Sequence, residues 1–297
     1  MRKKMLFLVN PKAGHGDVRN NLMEILQIFT QGGYDVTVHP TSGPRDITQQ
    51  IAQYGEAYDK IVSIGGDGTL NETVSGLMQL NHPPVLGYIP NGTVNDVAST
   101  LRIPKNPIEA AKTIVHGQEF TMDIGVFNDR WFAYVAAFGA FTDVSYRTPQ
   151  GDKKILGRLA YLLQGINRLT DMRPVHVRMW VDGQMIEDDV LFGMVASTTS
   201  VGGFKIKDEL EISLNDGLSE VVLVRNIENL DDFNRVATAL LKQDFRNPYF
   251  YLYKTNRVRF QFDKPVAWTL DGESGGEVKV AEVRNCHRAL RIMVPGD

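Results

Sequence analysis

Apolar residues in the first part of the chain come as short runs that alternate with stretches at helical spacing. Met5, Leu6, Phe7, Leu8 and Val9 form a run over 4–9 that reads as a buried strand and ends at Asn10-Pro11. Leu22, Ile25, Leu26 and Phe29 then recur as on one face of a helix, which Gly32-Gly33 stop. Residues 34–38 alternate as a strand, and Ile47, Ile51 and Tyr54 mark one face of a second helix. Ile61, Val62 and Ile64 make a third strand. It leads through Gly65-Gly66-Asp67-Gly68-Thr69 into a helix from Leu70 to about Leu80. A fourth strand over 85–89 leads through Pro90-Asn91-Gly92-Thr93 into a helix with Asn95, Asp96 and Ala98, and another helix covers 108–115. This alternation predicts an α/β domain over 1–118 with a parallel sheet covered on both faces. Ligands on such sheets bind beyond the carboxyl ends of the strands, where all of these turns lie.

After residue 118 the pattern changes. Stretches over 120–126, 131–138, 175–181, 185–196, 218–224, 257–262 and 289–294 read as strands. Helical patterns cover 154–169 and 230–241, the second with Asn229 as its cap. The expectation is a β-rich domain over 119–297, a sandwich of two packed sheets with inserted helices, whose last strand can return to the first domain. Ile155, Leu159, Leu162, Leu163 and Ile166 form a stripe that suits either the domain's own core or a lipid surface.

Composition narrows the function. The chain has 297 residues, is 43% hydrophobic and carries a net charge of -3, which fits a soluble globular protein and gives no bulk basic field for nucleic acid. The one cysteine, Cys286, excludes a disulfide framework and suits a reducing cytosol. The apolar run over 5–9 is too short for a signal-peptide core, and no stretch nears the ~18 apolar residues of a spanning helix, so any membrane contact is expected to be peripheral. The six histidines lack metal-ligand spacing, and neither a P-loop lysine motif nor a GxSxG elbow is present.

What remains is a set of acids and hydroxyls at glycine-rich turns. A glycine-rich strand-to-helix turn lets the backbone approach a phosphate, and the helix N-terminus favours its charge. Asp67 lies inside such a turn, with Thr69, Asn71 and Glu72 behind it. Beside phosphates a carboxylate needs an intervening cation, which points to Mg²⁺ and phosphoryl transfer; the plainer reading is a helix cap. Asn91-Gly92-Thr93 with Asn95-Asp96 repeats the arrangement. Asp123 sits in an otherwise apolar strand, where a carboxylate is costly unless paired or pointing outward. Asn215-Asp216-Gly217 reads as a hairpin turn between 210–214 and 218–224 that is also able to hold a cation. Asp271-Gly272-Glu273 follows the short apolar strand 267–270 and offers either a solvated turn or a general base for a substrate hydroxyl.

Gly65-Gly66-Asp67-Gly68-Thr69-Leu70-Asn71-Glu72 resembles the catalytic signature of soluble diacylglycerol and sphingosine-type lipid kinases. Asn10-Pro11 with Gly14, the run over 91–98, and Leu270-Asp271-Gly272-Glu273 match its other motifs in order and spacing. Gly-Gly-Asp-Gly alone is shared with NAD kinases and phosphofructokinases, and the implied first domain is of that type. The resemblance implies ATP contacts at Asn10, Pro11, Lys12, Ala13, Gly14, Thr41, Gly65 to Glu72 and Thr93. It implies that Asp67, Asp96 and Asp123 join a network with Mg²⁺. It also implies a structural Mg²⁺ at Asp216 with carbonyls near Ser213 and Leu218, and Glu273 as proton acceptor. Val97 stands where the family usually has an aromatic residue, and the loop over 199–204 is a looser version of its glycine-rich lipid-side loop. The implied protein is a cytoplasmic enzyme at the inner face of the membrane that phosphorylates diacylglycerol, with room for a homodimer. Kinases of another lipid (phosphatidylglycerol or a sphingoid base), NAD kinases and an ATP-binding regulator are the alternatives.

Overall fold

The computed structural model describes residues 2–11, 17–139, 173–197, 200–201, 204–205, 213–227, 229–242 and 247–296. The chain divides into two compact units, Met1–Ile124 with Arg288–Asp297, and Gly125–His287. The expected change of texture at 118 coincides with the start of a strand, and the division falls inside that strand.

The first unit contains β1 (Lys3–Val9), α1 (Asp17–Gln31), β2 (Tyr34–Pro40), α2 (Asp46–Tyr54), a 3-10 turn (Gly55–Ala57), β3 (Lys60–Gly65), α3 (Asp67–Leu77), β4 (Val85–Pro90), α4 (Asp96–Thr100), α5 (Pro107–His116) and the start of β5 (Gln118–Phe127). The four strands β2-β1-β3-β4 are parallel neighbours in that order, and Ile292 of the C-terminal strand pairs with Leu86 beside them. Because the strands are in register, Phe7, Val62 and Gly87 share one face. There Phe7 meets the ring of Phe29 on α1 edge-on at 5.5 Å, and the Gly87 backbone lies so close to Ile114 of α5 that an added Cβ would sit 2.9 Å from it. On the other face Ile61 and Ile51 of α2 both crowd Gly55, and Gly76 of α3 packs against Ile51. Both faces are therefore covered, which is why β1, β3 and β4 are almost continuously apolar.

Two details differ from the sequence reading. Tyr54, placed there on the buried face of α2, is 48% exposed. Helix α3 begins at Asp67 and not at Leu70, because Gly66 adopts the extended cap conformation and an acid in the first turn suits the helix N-terminus. It ends at Leu77; beyond it the backbone N–H groups of Asn81 and His82 turn onto the Glu56 carboxylate.

The second unit continues with β6 (Arg130–Phe132), β7 (Val135–Gly139), β8 (Val175–Val181), β9 (Gln184–Ala196), the two-residue pair β10 (Ser200–Val201) and β11 (Phe204–Lys205), β12 (Ser219–Arg225), α6 (Leu230–Lys242), β13 (Phe250–Thr255), β14 (Arg257–Leu270) and β15 (Glu273–Val294), which crosses back to the first unit after His287. Strands β7 and β8 each pair antiparallel with both β9 and β14, so these four close on themselves. The register of β14 against β15 shifts between Gln261 and Val266, which lets β14 serve two layers of the sandwich. Inside lie Phe138, Phe260, Phe262 and Trp268, with Phe138 at 4.6 Å from the Trp268 ring and 5.0 Å from that of Phe262. Asn229 caps α6 as expected, its Oδ1 accepting from the Asp232 N–H at 2.9 Å. Strand β13 has no counterpart in the sequence reading, and the short strands expected over 257–262 and 267–270 are one. The helix expected over 154–169 lies outside the described residues, as do residues 210–212 of the strand expected over 210–214, whose described residues 213 and 214 are not strand.

The stretch over 131–138, read as one strand, is two. Its break is made by Asp271, whose carboxylate accepts from the N–H groups of Ala133 (2.6 Å), Tyr134 (3.0 Å) and Val135 (3.1 Å). Consecutive N–H groups turned onto one carboxylate cannot all join a ladder, so the strand must interrupt there.

Lys60 opens β3 almost wholly buried, its Nζ donating to the Ile114 carbonyl at 2.8 Å in the last turn of α5. Burial lowers its pKa from 10.5 to about 8. Across that window the unfolded chain holds a proton that the folded chain has released, so this residue makes stability rise as pH increases from about 8 towards 10.5. Urea unfolding of Lys60→Met over the same window is expected to show a flatter rise than the parent.

Candidate active site

Three of the turns at the carboxyl edge of the first unit's sheet are tied directly to one another. Asn10, at the end of β1, donates its backbone N–H to the Ile64 carbonyl at 3.4 Å and its Nδ2 to Thr69 Oγ1 at 3.3 Å. The Asn91 N–H, after β4, donates to the Gly65 carbonyl at 2.7 Å. Thr41 joins from β2, donating its N–H to the Val9 carbonyl at 2.8 Å.

The glycines are required by contact. An added Cβ on Gly65 would lie 2.2 Å from Thr69 Oγ1, and one on Gly92 would lie 2.5 Å from Gly66 Cα. The turns after β3 and β4 therefore pack backbone to backbone, leaving a surface of main-chain atoms and small side chains. Helix α3 starts from this surface, so its N-terminal partial positive charge faces the same place.

Asp67 holds the two turns in place. Its Oδ2 accepts from the Asn95 N–H at 2.9 Å and its Oδ1 from the Asp96 N–H at 3.0 Å. The carboxylate thus caps α4, the helix after the other turn, while belonging to the first turn of its own helix. Asn95 is left-handed (φ 57) and closes its turn with Oδ1 accepting from Gly92 N–H at 3.0 Å and Nδ2 donating to the Gly92 carbonyl at 2.8 Å. Below them the Tyr88 hydroxyl donates to the Gly65 carbonyl at 2.9 Å; burial and the nearby Asp67 charge push its pKa well above the usual value.

The other residues singled out in the sequence fall as follows. Thr69 is buried, Leu70 is buried in the core with its N–H committed to the Gly66 carbonyl, and Gly68 and Asn71 are half-buried. Glu72 accepts from the Arg45 N–H at 3.0 Å, so its carboxylate fixes the entry to α2. Thr93 and Pro11 are exposed. Asp96 and Asp123 are both 1% exposed, and Asp123 Oδ1 accepts from the Arg288 N–H at 2.7 Å on the returning end of β15. This settles the open question about Asp123: it points inward and is paired with backbone. Lys12, Ala13 and Gly14 lie outside the described residues, as do residues 199, 202 and 203 of the loop over 199–204.

In the second unit Asp271 (φ 50) and Gly272 (φ 81) form the tight turn from β14 to β15, and Glu273 follows exposed. Asp216 accepts from the Leu218 N–H at 3.0 Å through Oδ1, and its Oδ2 lies 2.9 Å from Lys254 Nζ. Ser213 Oγ donates to Asn215 Oδ1 at 3.2 Å in the same turn. Lys254 also lies 3.8 Å from Glu220, a buried carboxylate whose oxygens have no hydrogen-bond partner; burial raises its pKa to about 7. Among the described residues, no group of three or more His, Cys, Asp or Glu side chains is placed to hold a metal ion.

Sequence reasoning missed Tyr88, the Asn95 side chain, Glu220 with Lys254, and the anchoring part of Asp271. Only Asp271 carried a usable signal, since Asp-Gly after an apolar strand marks a tight turn.

Comparison with known proteins bears on the whole chain. Residues 4–127 match the family model described as diacylglycerol kinase catalytic domain, and residues 137–294 match the YegS C-terminal NAD kinase beta sandwich-like domain. The chain is 36% identical to a diacylglycerol kinase of Bacillus subtilis (strain 168) over 296 residues, covering 99% of this chain and 97% of the relative. It is 31% identical to a diacylglycerol kinase of Staphylococcus aureus (strain MRSA252), covering 100% of this chain and 94% of the relative. A crystal structure from Bacillus anthracis str. Sterne, titled as a candidate diacylglycerol kinase, superposes with a TM-score of 0.85 at 26% identity, covering 99% and 97% of the two chains.

The packing of Gly92 on Gly66 has a direct consequence. Gly92→Ala is expected to lower the urea unfolding free energy by about 1–3 kcal/mol, because backbone must move. Gly43→Ala, where an added Cβ meets nothing within 4 Å, should change it by less than about 1 kcal/mol.

Proposed function

The chain belongs to the diacylglycerol kinase family and is a lipid kinase, and from this we propose that it transfers the γ-phosphoryl group of ATP, with Mg²⁺, to the free hydroxyl of diacylglycerol. The observation that carries the nucleotide half of this reading is the pair of glycine turns held by the Asp67 carboxylate. Their main-chain atoms, packed at glycines that carry no Cβ, offer a polyphosphate a close approach. Asn10, Gly66, Gly68, Gly92 and Thr93 are the residues we assign to the phosphates.

Asp67, Asp96 and Asp123 are the carboxylates we assign to the Mg²⁺ network. The donor set fits a hard cation, being oxygen throughout. When bound, Mg²⁺ neutralises the charge that separates phosphate from carboxylate. The chain's own contribution is to keep Asp67 still: two N–H groups fix both its oxygens.

Glu273 is our candidate proton acceptor. In the transfer the lipid hydroxyl oxygen forms a bond to the γ-phosphorus, the bond to the bridging oxygen breaks, ADP leaves, and the hydroxyl proton passes to the Glu273 carboxylate. Its place directly after the locked Asp271-Gly272 turn supports this, since the turn presents the side chain from rigid backbone.

The turn at Asp216, with carbonyls near Ser213 and Leu218, is our candidate for a structural Mg²⁺. The buried oxygens of Glu220 next to it, which accept no hydrogen bond, support a cation there, and Lys254 supplies one positive charge already. No helix among the described residues is long and apolar enough to cross a membrane. We place the enzyme at the cytoplasmic membrane surface, meeting its lipid peripherally.

Transfer from radiolabelled ATP to a panel in mixed micelles tests the acceptor. The panel holds diacylglycerol, phosphatidylglycerol, a sphingoid base and NAD. Label in diacylglycerol is expected, and label in NAD alone would overturn the lipid assignment. Glu273→Gln should keep nucleotide affinity and lose turnover by roughly 10²–10⁴-fold; unchanged turnover removes Glu273 from the mechanism. Without nucleotide, added Mg²⁺ should raise the melting temperature of the parent and not that of Asp216→Asn.

A further inference from the structure

Strand β12 carries one side chain that its surroundings do not satisfy. Val221 and Leu223 belong to the core of the second unit, and alternation puts Glu220 on the opposite face with Val222 and Val224. That face is buried as well: Glu220 is 3% exposed, Val222 2% and Val224 4%. Both side-chain oxygens of Glu220 are shut off from water and accept no hydrogen bond from the described residues. A carboxylate in such a place is costly unless something comes to meet it.

The register of β12 against β13 sets Lys254 directly opposite Glu220. Its Nζ nevertheless stops 3.8 Å from Glu220 Oε1, beyond hydrogen-bond length, and lies 2.9 Å from Asp216 Oδ2. The ammonium leans away from its cross-strand neighbour and towards the turn before β12. Asp216 needs it less. Its Oδ1 already accepts from the Leu218 N–H at 3.0 Å, and its side chain is 28% exposed, against 4% for Glu220. One ammonium thus stands between two carboxylates and is bonded to the wetter of them. A displacement of about 1 Å would bring it within hydrogen-bond reach of Glu220. The flexible four-carbon stem of lysine allows that without backbone movement.

We propose that the Lys254 ammonium has two seats: one on Asp216, where it lies in this structure, and a second on Glu220, to which it moves when a divalent cation takes the Asp216 carboxylate. The inference rests on the reading of the Asp216 turn as a cation site and adds what becomes of the charge already there. An ammonium bonded to the same carboxylate would stand a few ångströms from a doubly charged ion and be repelled by it. Glu220 supplies the place to go, and only then does the buried carboxylate gain its missing donor. Part of the free energy of cation binding therefore comes from a residue that does not touch the cation. The new bond runs straight across the β12–β13 pair, so the cation also tightens that pair. Glu220 and Lys254 are positioning residues for the site and not ligands.

Crystals of the full chain grown with and without Mg²⁺ test this directly. With Mg²⁺ the Lys254 Nζ is expected within hydrogen-bond distance of Glu220, and without it on Asp216. Calorimetric titration with Mg²⁺ in the absence of nucleotide is the second arm, with Asp216→Asn identifying the heat that belongs to this site. Glu220→Gln should raise the dissociation constant about fivefold or more. In a Lys254→Met background the same change should alter it by less than about twofold, because the ammonium that uses the seat is gone. Equal factors in the two backgrounds would show Glu220 acting through its own charge and would overturn the proposal. So would an Mg²⁺-bound crystal in which Nζ stays on Asp216, or one in which Glu220 itself ligates the ion. Should neither crystals nor calorimetry place Mg²⁺ at Asp216, the cation-site reading itself fails and takes the proposal with it.

Discussion

The Asp67 carboxylate, accepting one hydrogen bond on each oxygen from Asn95 and Asp96, is the interaction on which the arrangement of the first unit's glycine turns depends. It adds two bonds to the Asn91 N–H and Gly65 carbonyl bond that already joins the turns after β3 and β4, whose glycines would otherwise favour disorder. With it, a residue at the start of one helix becomes the cap of another. Charge-assisted hydrogen bonds of this kind are roughly twice as strong as neutral ones, and here both hold the turn that opens α4.

The second unit uses the same device. Asp271 draws in three N–H groups from the break between β6 and β7, as Asp67 draws in two from the turn before α4. In both cases an acid that reads in the sequence as a candidate for chemistry is held by backbone. In both cases the acid lies within two residues of others singled out in the sequence: the glycines beside Asp67, and Glu273 beyond Asp271.

Much of this was legible in the sequence. Apolar runs bounded by Asn-Pro or glycine located β1, β3 and β4, since strands buried on both faces leave no polar positions to confuse the pattern. The turns at Gly66 and Gly92 were legible because backbone contact admits only glycine. Tertiary hydrogen bonds were not. The break after Phe132 is imposed by a residue far along the chain, and no local propensity marks it. Glu72 looks like part of the ligand motif, yet its carboxylate fixes the start of α2. Tyr88 sits in a strand so apolar that its hydroxyl is easily overlooked, while it supports the Gly65 carbonyl from below. Strand β13 was missed because Tyr251, Tyr253 and Lys254 break the expected alternation at an outer position beside β12.

The locked turn at Asp271 also limits how the second unit can move. Four main-chain connections, counting the Asp271 N–H to the Val135 carbonyl, bolt the tip of the β14–β15 hairpin to its neighbour. A flapping tip is thereby excluded. The backbone at Glu273 can therefore shift only as far as the neighbouring strand carries it.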